Sequence, residues 1–125
     1  MPLDITCEER APGTVIVYPV GSLDSSTHVA LQGYVDSILA DHLPSVVIFD
    51  MDGVIFISSM GVRVILQIRK KLKQQGGKLL MLNLRPQIKT VFDIIRALPR
   101  ERIFSSIEEL DNYLAHMQRQ VLEKR

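Results

Sequence analysis

Residues 46–64 read Val46-Val47-Ile48-Phe49-Asp50-Met51-Asp52-Gly53-Val54-Ile55-Phe56-Ile57-Ser58-Ser59-Met60-Gly61-Val62-Arg63-Val64. The unbroken apolar run Val46 to Phe49 has the pattern of a parallel strand buried on both faces, and it is the predicted central strand. Asp50 to Ile57 reads as a loop with Gly53 in a turn. From about Ser59 to Gln75 the apolar period becomes helical, with Ile65, Ile68 and Leu72 on the buried face and Lys70, Lys71 and Lys73 toward water. Ser58-Ser59 therefore falls where the free N–H groups of a first helical turn need acceptors.

Toward the N-terminus, Leu3, Ile5 and Cys7 alternate with polar residues, Ala11-Pro12-Gly13 signals a turn, and Val15 to Val20 is rich in β-branched residues. These segments predict a hairpin that opens the sheet. From Ser25 a helix is expected with Leu31, Val35, Ile38 and Leu39 on one face, capped by Asp24 or Ser25 and ended before Pro44.

Toward the C-terminus, Gly76-Gly77 ends the middle helix and Lys78 to Leu84 repeats the buried-strand pattern. Pro86 then opens a short helix whose Ile88, Val91, Phe92 and Ile95 follow helical spacing. A brief strand is expected at Ile103 and Phe104. A last helix at about 107–123 follows, capped by Ser105 or Ser106 with Glu108 or Glu109, and carries one stripe of Ile107, Leu110, Leu114, Met117 and Val121. The order β-β-α-β-α-β-α-β-α, with long crossovers, predicts an α/β fold with a mixed, mostly parallel sheet.

The chain has 125 residues, 46% apolar and 23% charged, with 6 Pro and 7 Gly, which bounds it to one folded domain over 1–125. A net charge of +1, no Trp, 4 Phe and 3 Tyr argue against a nucleic-acid partner. The lone Cys7 has no partner for a disulfide and reads as a buried structural thiol. The first ten residues do not resemble a signal peptide and no apolar run reaches membrane-spanning length, so a cytoplasmic protein without membrane insertion is expected. His28, His42 and His116 lack ligand spacing; no metal and no cofactor are expected.

Two motifs share the central segment. Phe49-Asp50-Met51-Asp52-Gly53-Val54 resembles the first motif of haloacid-dehalogenase-like phosphatases, in which the first aspartate attacks a phosphoryl group and the second is the general acid/base. Asp50 and Asp52 would take those roles. The rest of that chemistry needs a hydroxyl residue ending a second strand, a basic residue and a later acidic pair to complete a magnesium site. The strand from Lys78 instead ends at Asn83 and Arg85, and Ile103-Phe104 leads to Ser105-Ser106.

Phe56-Ile57-Ser58-Ser59-Met60-Gly61-Val62-Arg63-Val64 resembles the phosphorylation segment of STAS domains in anti-sigma factor antagonists. Gly21-Ser22-Leu23-Asp24 matches that family's turn after the second strand, and Gly76-Gly77-Lys78-Leu79 and Leu84-Arg85-Pro86 match its later joints, so the likeness spans essentially the whole chain. It implies a single STAS domain of about five strands with four to five helices packed mainly on one face. It departs from the family pattern at Ser58, where an acidic residue is common, at Met60, where a small one is, and at Ile95 to Pro99, which lacks a family glycine.

The resemblance implies an anti-sigma factor antagonist with no catalytic residues of its own. The unmodified protein would bind an anti-sigma factor that is often also its serine kinase, and so free a sigma factor. Phosphorylation at Ser59, or at the adjacent Ser58, would end binding, and a serine phosphatase acting on the phosphorylated form would restore it. Asp24, Ser58, Ser59, Met60 and Arg63 would form the contact patch, with Asp24 beside the serine. An accessory STAS subunit of a transporter, docking without phosphorylation, is the alternative within the same fold.

Overall fold

Ten consecutive residues, Thr14–Leu23, form the longest strand, and the sheet is assembled around it. The computed structural model describes residues 2–97 and 106–124. The elements run β1 (Asp4–Ala11), β2 (Thr14–Leu23), α1 (His28–His42), β3 (Val46–Asp50), β4 (Val54–Ile57), α2 (Ser59–Gln74), β5 (Lys78–Leu82), α3 (Pro86–Ala97) and α4 (Ile107–Glu123). The strand order is β1-β2-β3-β5, with β4 also beside β2. Among the described residues only the β1–β2 hairpin is antiparallel; β3, β4 and β5 pair in parallel, as the long helical crossovers require.

One strand appears where a loop was expected. The N-terminal part of β2, Thr14 to Val17, pairs with Val46 to Phe49, and its C-terminal part, Gly21 to Leu23, pairs with Val54 to Ile57. β3 and β4 are thus one run along β2, interrupted by Met51 to Gly53 and by a register shift at Gly21/Ser22. Asp50, Asp52 and Gly53 carry turn chemistry and hide a β-rich segment that resumes pairing beyond them. The strand expected at Ile103 and Phe104 lies outside the described residues.

The four described helices share one core with a single face of the sheet: Val15, Val17, Val47 and Phe49 pack with Leu31, Ile65, Ile68, Val91 and Leu114. β3 is therefore not buried on both faces. Val47 and Phe49 are fully buried, but Val46 and Ile48 are only half-buried on the side without helices. β5 departs further from expectation: Leu79 and Met81 turn inward while Leu80 and Leu82 are exposed, because it is an edge strand with one covered face. Cys7, expected to be buried, is exposed on the edge strand β1.

The helical faces agree with their sequence periods. Leu31, Val35, Ile38 and Leu39 are buried in α1, and Val62, Ile65, Ile68 and Leu72 in α2. Each such side chain contributes roughly 1.5–3 kcal/mol when fully buried, whereas the exposed Lys71–Asp36 pair joining α2 to α1 contributes at most about 1 kcal/mol. Burial, then, holds the helices on the sheet. α2 ends as expected, with Gly76 at φ +80 and the Gly77 N–H donated to the Leu72 carbonyl at 2.8 Å.

Candidate functional site

β2 and β4 finish side by side, and their ends deliver two loops to one place. Leu23 pairs with Ile57, and the Leu23 carbonyl accepts the Ser58 N–H at 2.9 Å. This brings Asp24, which follows β2, next to the start of α2. Gly61 makes the approach possible, since a Cβ there would lie 2.5 Å from the Leu23 carbonyl oxygen and 2.8 Å from Ile57 Cγ1. Gly21 serves the opposite edge: its φ is +126, and a Cβ would stand 2.8 Å from the Pro2 carbonyl oxygen.

The two serines have different positions and different work. Ser58 is the N-cap of α2, extended at φ −101 and ψ 176, and its Oγ accepts the Gly61 N–H at a long 3.4 Å. It is buried, at 7% exposure, so its hydroxyl does not reach the surface that the sequence assigned it to. Ser59 is the first residue of the helix and only half-buried. Its Oγ is out of contact with solvent and takes no hydrogen bond, which is uncommon for a buried hydroxyl.

The Ser59 backbone has a partner that the sequence did not reveal. Its N–H donates to Asp111 Oδ1 of α4 at 2.8 Å. α2 has no acidic residue in its own first turn, so the Asp111 carboxylate is the anion at the positive end of that helix. Two turns further along α4, Gln118 is 1% exposed: its Oε1 accepts the Ile57 N–H at 3.0 Å and its Nε2 donates to the Ile57 carbonyl at 2.8 Å. On the same edge of β4, Gln87 Nε2 of α3 donates to the Ile55 carbonyl at 3.2 Å. Two side-chain amides thus take the place of a further strand. Their sequence mark is a glutamine in an apolar stripe, Gln118 standing four residues after Leu114.

Asp24 does not cap α1. The cap is Thr27, whose side chain makes no capping bond, and Asp24 instead ties the preceding turn: its Oδ1 accepts the Ser26 N–H at 2.9 Å and the Ser26 hydroxyl at 2.7 Å. Thr27 Oγ1 accepts the Asp24 N–H and donates to the Ser22 carbonyl. Burial alone would raise the Asp24 pKa, but the bonds from Ser26 and Thr27 outweigh it and hold the carboxyl below its ordinary value. Met60 is half-buried and Arg63 exposed. Arg63 stands one turn after Ser59 and, with Ser59, Val62, Leu66, Ile95 and Leu110, borders an open groove of about 400 Å³.

Asp50 and Asp52 build the turn between β3 and β4. Asp50 Oδ1 accepts the Asp52 N–H at 3.1 Å and Asn83 Nδ2 at 3.2 Å, and the Asp52 carbonyl accepts from Arg85 Nε. Among the described residues, no group of three or more His, Cys, Asp or Glu is placed to hold a metal ion. His28 Nδ1 lies 3.2 Å from the Asp24 carbonyl, within the turn itself. No helix among the described residues is long and apolar enough to cross a membrane.

Comparison with known proteins gives concordant results. A sequence model of the STAS domain matches residues 8–110. The proposed anti-sigma factor antagonist BtrV of Bordetella bronchiseptica is 32% identical over 83 residues, 58% of this chain and 72% of that protein. The unphosphorylated form of the anti-sigma factor antagonist SpoIIAA superposes with a TM-score of 0.61 at 19% identity, over 90% of this chain and 98% of the other. The phosphorylated form of the Bacillus protein also gives 0.61, at 21% identity over 74% and 83% of the two chains. A sulfate transporter family protein from Wolinella succinogenes gives 0.60 at 23% identity, over 88% and 91%. At these identities the structural matches speak for the fold alone.

Proposed function

The chain belongs to the STAS domain family, and from that premise we propose that it is a one-domain cytoplasmic anti-sigma factor antagonist, switched by phosphorylation of Ser59. Unmodified, it binds an anti-sigma factor and frees a sigma factor. The anti-sigma factor, acting as a serine kinase, transfers the γ-phosphoryl group of ATP to Ser59 Oγ; ADP leaves and the hydroxyl proton passes to the kinase's base. A serine phosphatase hydrolyses the ester and resets the cycle. The protein itself supplies a surface and an acceptor hydroxyl and catalyses nothing.

The observation that carries this reading is the contrast between neighbouring hydroxyls. Ser58 Oγ is engaged in capping, whereas Ser59 Oγ makes no internal hydrogen bond that a modification would remove. With Ser59, the residues Asp24, Met60 and Arg63 make up the proposed contact patch, to which Ser58 contributes by fixing where the helix begins. Arg63, one turn on, can pair with a phosphate at Ser59.

Magnitudes decide what the modification does. A phosphate brings about −1.5 to −2 charges, and a helix N-terminus favours an anion by roughly 0.3–1 kcal/mol, so the scaffold tolerates it. A like-charge or desolvated clash across an interface costs several kcal/mol. At about 1.4 kcal/mol per tenfold, a clash of roughly 3 kcal/mol weakens binding about a hundredfold.

Capture of partners from an extract of the protein's native cells tests this. Wild type and Ser59→Ala are expected to retain an anti-sigma factor and Ser59→Asp to lose it. ATP added to the captured complex should place one phosphate on wild type and none on Ser59→Ala. An anti-sigma factor held equally by all three, or phosphate still accepted by Ser59→Ala, contradicts the proposal. The transporter-subunit reading, for which the Wolinella likeness supplies fold alone, predicts capture of a transporter component regardless of the serine.

A further inference from the structure

Charge is unevenly placed in this chain. α2 carries Arg63, Arg69, Lys70, Lys71 and Lys73 and no Asp or Glu, although the net charge of the whole chain is +1. Lys71 is held by Asp36 of α1, but among the described residues no ion pair engages Arg63, Arg69, Lys70 or Lys73. Like charges three and four residues apart on a helix repel, so this row has no compensation from within the described molecule. The row also edges an apolar groove. Leu66, 46% exposed, stands where three recesses meet. The first, of about 400 Å³, begins at Ser59; the second, of about 310 Å³, is bordered by Arg69, Lys70 and Lys73; the third, of about 440 Å³, passes over Val62 and Ile65 to Phe92 and Arg96 of α3. Among the described residues, no Asp or Glu lines any of the three.

We propose that this groove, on the side of α2 facing α3, docks an acidic amphipathic helix of a partner protein. From Arg63 to Lys73 it runs about 15 Å, close to three helical turns. A helix of that length lays apolar residues at i, i+3 or i+4 and i+7 into such a groove, here on Leu66 and Ile95, while its carboxylates meet Arg69, Lys70 and Lys73. An anionic membrane matches the charge but not the shape. Ile65, Ile68 and Leu72, the apolar face of α2, are buried in the core, so that face is not free to enter a lipid surface. The docking site is separate from the serine patch: Lys70 and Lys73 stand roughly 16–21 Å along the helix from Ser59, beyond the ~8 Å over which salt screens charge.

Fluorescence anisotropy with a labelled, alanine-based helical peptide of about 15 residues, carrying Leu at i, i+3, i+4 and i+7 and Glu on both flanks, tests the groove. The peptide should bind the wild-type protein, and less tightly as salt is raised from about 50 to 300 mM. Lys70→Glu combined with Lys73→Glu should weaken binding at least about tenfold, and so should Leu66→Ser, whereas Lys78→Glu at the exposed start of β5 should change it less than about twofold. A peptide of the same composition with its Leu positions scrambled should bind at least about tenfold more weakly than the patterned one. The substituted positions are exposed, and urea midpoints equal to that of wild type will show that the variants fold. Absence of binding overturns the proposal. So does equal binding of the scrambled peptide, which would mean that charge alone is recognised, or equal weakening by Lys78→Glu. Sedimentation with phosphatidylglycerol vesicles through the same lysines, with no peptide bound, would make the basic row a membrane contact and overturn the groove as well. Ser59 and the anti-sigma factor take no part in these measurements, so their failure leaves the serine switch standing, and a partner retained by Ser59→Asp leaves the groove untouched.

Discussion

Gly61 has no space for a side chain, and that single fact sets the distance between the end of β2 and the start of α2. Alanine at a helix position gains up to about 1 kcal/mol over glycine from propensity, whereas forcing extra volume into a packed site costs typically about 1–3 kcal/mol. With a carbonyl oxygen 2.5 Å from the added carbon, the second effect wins. Gly61→Ala should therefore lower the urea midpoint, with an unchanged slope; a variant at least as stable as wild type would show that the close approach does not constrain α2. The serines illustrate what single residues conceal in a sequence. Both Ser58 and Ser59 satisfy the rule for a helix cap, and only the backbone of Ser58, extended where Ser59 is already helical, shows which of them caps.

At the scale of elements, periodicity located all four described helices and the buried faces of α1, α2 and α3, but on α4 only Leu114 of the expected stripe is buried and Ile107 is 55% exposed. Ser106 caps α4 by accepting the Glu109 N–H at 3.1 Å, as the Ser-Glu spacing predicts. Strands were less legible. β4 was concealed by the turn residues in front of it, and the covering of its outer edge by Gln87 and Gln118 depends on contacts across 32 and 61 residues that no local pattern encodes. The second of these makes a prediction. Gln118→Ala leaves the Ile57 N–H and carbonyl without partners, and a buried polar group so left costs about 1–3 kcal/mol, whereas the exposed neighbour Gln120→Ala should change stability by about 0.5 kcal/mol or less. Equal urea midpoints for the two variants would mean that the amide is not holding the edge.

For the molecule as a whole, the element order pointed to a mixed, mostly parallel sheet and the resemblance to helices mainly on one face, and the core has that arrangement. The candidate site was legible as a location, the junction of the β2 turn with the start of α2, since Gly21 to Asp24 and Ser58 to Arg63 carry their own turn and cap chemistry. Its cover was not. Asp111 and Gln118 lie 52 and 61 residues away from the groups they hold, on a helix whose apolar stripe alone gives no clue to where it docks. A scaffold of this kind can take charge at one helix start with little loss of stability, while a protein docked on the same spot cannot. Titration calorimetry of the anti-sigma factor against unmodified protein and against protein carrying phosphoserine at position 59, its stoichiometry checked by intact mass, measures that difference. The account predicts a dissociation constant about a hundredfold larger for the phosphorylated form, equivalent to roughly 3 kcal/mol; equal constants for the two forms would contradict it.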